Sequence, residues 1–190
     1  LLLTAILAAY QVVTGGHGTT QTTIWSYTIG FGTLVVSSII TMIVGFDTFD
    51  KPLVVIISAL IPISISNGLV SQISNDMAKW YLVYAVAGFL VIILSRFLKK
   101  KVVANLFLSI IHTISGVTIL IFPIHLVINL SFPSNLLFFS IGGIIMGIGG
   151  LMIFWGQKDG TFLQRNSKYL YLPGLLLLST ILFSLGLNAL

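Results

Sequence analysis

The chain has 190 residues, 57% of them hydrophobic and 7% charged, with a net charge of +5 and no cysteine. A soluble domain carries about a quarter charged residues, so this composition excludes water as the main solvent and fits an all-α polytopic membrane protein. The absent cysteines exclude disulfides, thiolate metal sites, iron–sulfur clusters and cysteine nucleophiles.

Seven apolar runs follow one another along the chain, at 1–14, 25–46, 52–70, 80–98, 102–130, 136–155 and 169–190. Each of the last six approaches or exceeds the roughly 20 residues that a helix needs to cross a hydrocarbon core about 30 Å thick. The first is short for a span. It has no basic flank and runs into a polar Gly/Thr loop, so it does not read as a cleaved leader; it crosses if it is longer in the native chain, tilted in a thinned region or continued into the Gly15-Gly16 loop, and without it the count falls to six. Trp25, Trp80, Trp155 and Tyr169 stand at predicted span ends, where aromatic rings favour the interface.

Basic residues fix a direction. Arg96, Lys99, Lys100 and Lys101 form the densest cluster and hold their loop in the cytoplasm. With seven crossings, Lys51, Lys158, Arg165 and Lys168 fall on the same side, and only Lys79 falls outside. The amino end is then cytoplasmic and the carboxyl end lies on the far side of a cell or organelle inner membrane. Charges gathered in this way reflect topology, and nucleic acid is set aside as a partner.

The chain reads as one transmembrane domain, 1–190, containing an internal repeat whose halves are 1–70 and 102–190, joined by a helix at 79–98. Tyr27-Thr28-Ile29-Gly30 aligns with Phe139-Ser140-Ile141-Gly142, and Asp47 with Asp159. In the third pair Pro52, Ser58, Asn67 and Leu69 align with Pro173, Ser179, Asn188 and Leu190. Triplets of helices point oppositely unless a linking helix intervenes, so a three-one-three order makes the halves parallel.

Ionisable groups at membrane depth are costly and mark function. The chain has no Glu, and every Asp, Lys and Arg falls in or beside a loop. Neither a midplane carboxylate for ion coupling nor paired acids or a metal-ligand set for hydrolysis is present, so no catalytic residue is assigned and catalysis by the chain alone is not expected.

His112 is the exception, roughly 16 Å along its helix from Lys101. It and His125, thirteen residues on, have the spacing of b-type haem ligands, yet a facing pair is required and the chain offers only His17. Haem b or quinone therefore enters only as a group shared with another subunit. Asn67 and Asn188, matched in the repeat, are candidates for a solute path or for helix contact. Gly143, Gly147 and Gly150 form a small-residue face for close helix packing, within the chain or against a partner.

Three functions fit these features. The first is a non-catalytic subunit of a larger membrane complex, of the respiratory or another energy-converting kind, partnered by lipid and other membrane subunits. The second is a facilitator for a small neutral solute; sugar uniporters of the SWEET type resemble it in their three-one-three layout, although their proline–glutamine signature is not found here. The third is a haem- or quinone-binding electron-transfer subunit centred on His112.

Overall fold

The computed structural model describes residues 1–45, 51–98, 100–156 and 162–188, and their side chains except those of 75, 101, 153–156 and 162–170. The positions of Asp47, Lys99, Lys158 and Asp159, and the side chains of Lys101, Trp155, Arg165, Lys168 and Tyr169, lie outside this description. Among the described residues seven α-helices follow in order: α1 (Leu2–Val13), α2 (Gln21–Val44), α3 (Pro52–Ile73), α4 (Asn75–Ser95), α5 (Lys101–Leu130), α6 (Leu137–Gly156) and α7 (Phe162–Leu187). No strand occurs among the described residues. Helices α2 to α6 contain stretches long and apolar enough to cross a membrane, which is compatible with a multi-pass location. The 12-residue α1 is about 18 Å long, and the described apolar part of α7 is Tyr171–Leu187.

Local chemistry moves two boundaries from the expected ones. Thr20 is the N-cap of α2, its Oγ1 accepting from the Thr23 N–H at 3.2 Å, so the helix begins before Trp25. Ser74 caps α4, accepting from the Met77 N–H at 3.3 Å, and alone separates α3 from α4. The polar stretch expected as a loop around 71–79 is therefore almost wholly helical.

Helices α1 to α3 and α5 to α7 share one core. Ala8, Tyr27, Phe31, Ile65 and Leu69 from the first group pack with Ile119, Leu126, Phe139, Phe183 and Leu187 from the second. Helix α4 is peripheral, joined to α3 and α5 by a smaller cluster that includes Ala59, Ala85, Ile92 and Ile111. Its other side exposes Val83, Val86, Leu90 and Leu94 at helical spacing, a face that suits lipid.

Two helix pairs pack through the same device. The Tyr27 ring of α2 lies on Gly68 of α3, where an added Cβ would meet Cε1 at 2.5 Å, while Gly30 admits Ile65. The Phe139 ring of α6 lies on Gly186 of α7, again with an added Cβ at 2.5 Å, while Gly142 admits Phe183. Ser140 of α6 donates to the Leu120 carbonyl at 2.7 Å, in the turn of α5 that Pro123 interrupts, tying α6 to α5.

Candidate functional site

Buried hydroxyls in this chain mostly satisfy themselves on their own helix. Thr33 donates to the Ile29 carbonyl, Thr41 to Ser37 and Thr180 to Leu176, each at 2.7 Å; Ser66 donates to Ile63 at 2.9 Å. Such groups need no ligand. Five buried polar atoms of α1, α2 and α3 stand apart: Thr4 Oγ1, Gln11 Oε1, Tyr27 OH, Asn67 Oδ1 and Ser71 Oγ have no hydrogen-bond partner among the described residues. A buried polar group left unpaired costs about 1–3 kcal/mol, a cost that packing alone does not explain five times within one helix triplet.

These atoms follow from the helix faces. Thr4, Ala8 and Gln11 form the buried stripe of α1 at helical spacing, small and polar where a core stripe is ordinarily large and apolar. Asn67 and Ser71 lie one turn apart on α3, and Asn67 ties it to α2, its Nδ2 donating to Ser26 Oγ at 2.7 Å. The Ser26 hydroxyl in turn donates to the Thr22 carbonyl at 2.7 Å, so the pair is fixed while the Asn67 carbonyl oxygen has no partner among the described residues. Val12 of α1 lies near Gly32 of α2. Running antiparallel from there, α1 carries Thr4 about 12 Å further, level with the turn around Thr41. At that level Ser37, Ser38, Thr41 and Ser58, with Leu34, Ile61, Leu172 and Leu176, line a small cavity of about 50 Å³, room for a few water-sized molecules. The cavity is bounded by α2, α3 and α7, and Thr4 is not among its lining residues.

One end of the α1–α3 triplet is closed by the turn after α1. Gly15, Gly16 and His17 all have positive φ, a conformation that favours glycine, and an added Cβ on Gly16 would meet the Tyr27 Cβ at 2.6 Å. Gln72 clasps this turn, its Nε2 donating to the His17 carbonyl at 3.2 Å and its Oε1 accepting from the Thr19 N–H at 3.3 Å.

The other residues singled out from the sequence are dispersed. Asn188 is exposed just past α7 and shares no environment with the buried Asn67. His112 has Nδ1 buried on α5 with no partner among the described residues, His125 Nδ1 lies 3.0 Å from the Asn129 amide nitrogen on the same helix, and His17 sits in the turn between α1 and α2. Among the described residues no three His, Asp or Glu gather as metal ligands. Gly143 is occupied within the chain, an added Cβ meeting Ile119 at 2.9 Å, whereas no described side chain comes within 4 Å of the Cβ position of Gly147 or Gly150. Outside the spans, Arg96 donates from Nη1 to Asn105 Oδ1 at 3.2 Å, and partial burial pushes its guanidinium pKa down.

Sequence reasoning did not find Thr4, Gln11, Tyr27 or Ser71. Thr4 and Gln11, at helical spacing in an otherwise apolar run, are the available signal for the first two; Tyr27 and Ser71 carry none, because a tyrosine near a span end reads as an interfacial anchor and a lone serine as self-bonded. No family model, curated protein or solved structure matches this chain.

Proposed function

We propose that the chain crosses the membrane seven times and that its α1–α3 half forms a site and passage for a small uncharged polar solute. The observation that carries this reading is the set of five unpartnered buried polar atoms in one helix triplet. Two amide oxygens, Gln11 Oε1 and Asn67 Oδ1, accept only, and the three hydroxyls both give and accept. That inventory complements a solute rich in O–H or N–H donors, such as a polyol or urea. No charged side chain is among them, so an ion would meet no compensating charge.

The seven-span topology rests on the eight basic residues it collects on one side and on the 26-residue length of α7, about 39 Å. Helix α1 crosses as a short helix covered by α2 and α7. The three-one-three repeat is supported by the paired ring-on-glycine contacts. They align Ser66-Asn67-Gly68-Leu69 with Ser184-Leu185-Gly186-Leu187, three residues away from the register that pairs Pro52 with Pro173. Pro52 occupies the first turn of α3 and Pro173 the interior of α7, so those prolines do not play the same part.

The test is flux. Purified protein in liposomes is mixed with glycerol or urea in a stopped-flow instrument and swelling is read by light scattering. Permeation above that of empty vesicles is expected, falling about tenfold in the Tyr27→Phe/Asn67→Leu double variant, the effect of about 1.4 kcal/mol of lost hydrogen bonding. Rates equal to empty vesicles across a panel of neutral solutes sink the reading.

A second reading, a subunit of a larger membrane complex, is favoured by Gly147 and Gly150 on α6, which no described side chain fills, beside the exposed Ile144, Ile148 and Leu151. It predicts purification with stoichiometric partners; a monodisperse monomer that is active in the flux assay counts against it.

A further inference from the structure

The amino-terminal half of α4 carries a feature that the solute passage does not use. Asp76, Met77, Trp80, Tyr81 and Tyr84 recur at helical spacing, so they share one face of α4. With Ile114 of α5 they line an open groove of about 540 Å³. The Tyr81 hydroxyl donates to Thr118 Oγ1 at 3.0 Å, and the Tyr84 hydroxyl donates to the Ile111 carbonyl at 2.8 Å and lies 3.1 Å from Ser115 Oγ. Both hydroxyls are thereby tied to α5. The two rings stand edge to face, their centroids 5.1 Å apart, and Trp80 is 79% exposed beside them.

Aromatic walls with one carboxylate at the rim match an alkylated ammonium. Ring faces attract a cation through their quadrupole, Asp76 supplies the opposite charge, and neither requires the N–H donors that a quaternary ammonium lacks. An anionic head group would instead meet like charge at Asp76. On the same two helices Val83, Ile110 and Val117 are exposed and apolar, a surface that suits an acyl chain and not a free soluble amine. Lys79, exposed one turn from Asp76, supplies the charge that a neighbouring phosphate needs. The geometry points to a binding site for the quaternary ammonium head group of a zwitterionic phospholipid, seated among Trp80, Tyr81 and Tyr84 with Asp76 at its edge.

Native mass spectrometry of the purified protein with equimolar phosphatidylcholine and phosphatidylglycerol of identical chains tests this. Phosphatidylcholine is expected to be retained over phosphatidylglycerol by roughly tenfold, and Trp80→Ala and Asp76→Asn are each expected to weaken its retention about threefold to tenfold. Both side chains are exposed, so neither substitution opens the core. Equal retention of the two lipids, or an unchanged preference in both variants, overturns the assignment, as does saturable binding of choline chloride that phosphatidylcholine does not displace.

Discussion

The α2–α3 and α6–α7 pairs solve one packing problem with opposite chemistry. Each lays an aromatic ring on a glycine of its neighbour and admits a large side chain at a second glycine. Around Phe139 the contact is apolar, with Phe183 at a centroid distance of 5.7 Å and Leu187 buried. Around Tyr27 the same device encloses an unpaired phenol hydroxyl, with the unpaired carbonyl oxygen of Asn67 on the facing helix. The second pair shows that the packing does not require polar groups, so their presence in the first needs another reason, and the proposed solute site supplies one.

The comparison breaks most visibly if the two rings are not equally structural. Both are fully buried, and Tyr27→Ala and Phe139→Ala should each cost about 3–5 kcal/mol, read as loss of thermal stability in detergent. A ring that can be removed from either pair at a cost below about 1 kcal/mol would show that its contact with the opposing glycine does not hold that pair together. Next in size are Gly68→Ala and Gly186→Ala. Each places a Cβ at 2.5 Å from a ring atom, and an overpacking cost of about 1–3 kcal/mol is expected at both. Strong destabilisation at only one would mean that the pairs are not equivalent.

Reciprocal exchange sharpens the comparison. Phe139→Tyr buries a new hydroxyl among apolar neighbours and should cost about 1–3 kcal/mol. Tyr27→Phe removes an unpaired one and should leave stability within about 1 kcal/mol of the parent, or raise it, while solute flux falls. Melting and flux measured on the same preparations separate the two: if Tyr27→Phe destabilises as strongly as Phe139→Tyr, the hydroxyl is structural and the solute site loses a member.

The elements were largely legible in the sequence because apolar run length under bilayer constraints leaves few alternatives. The shift of α2 to Gln21 and the single-residue junction at Ser74 were less so, since a capping serine or threonine resembles any loop hydroxyl until the facing N–H is known. The site was legible in one residue, Asn67, whose amide cannot satisfy itself on its own helix as a serine does. His112 drew attention by its depth, and its Nδ1 is buried on α5. The sequence register joining α3 to α7 leans on two prolines, conspicuous in apolar sequence, which stand at a helix start and in a helix interior and there do different work.

The smallest expected effect bears on how the polar side of the comparison opens. Gln72 holds the turn over Tyr27 through two long hydrogen bonds at an exposed position, so Gln72→Ala should cost no more than about 1 kcal/mol of stability. Its local consequence is larger than its global one, because the turn holds three successive positive-φ residues, a costly conformation that its surroundings must maintain. Faster amide hydrogen exchange at 15–20 with unchanged exchange in α6 and α7 is expected. If the turn gates the passage, flux through Gln72→Ala rises while Tyr27→Phe still lowers it. Faster exchange without any change in flux would place the entrance elsewhere on the triplet.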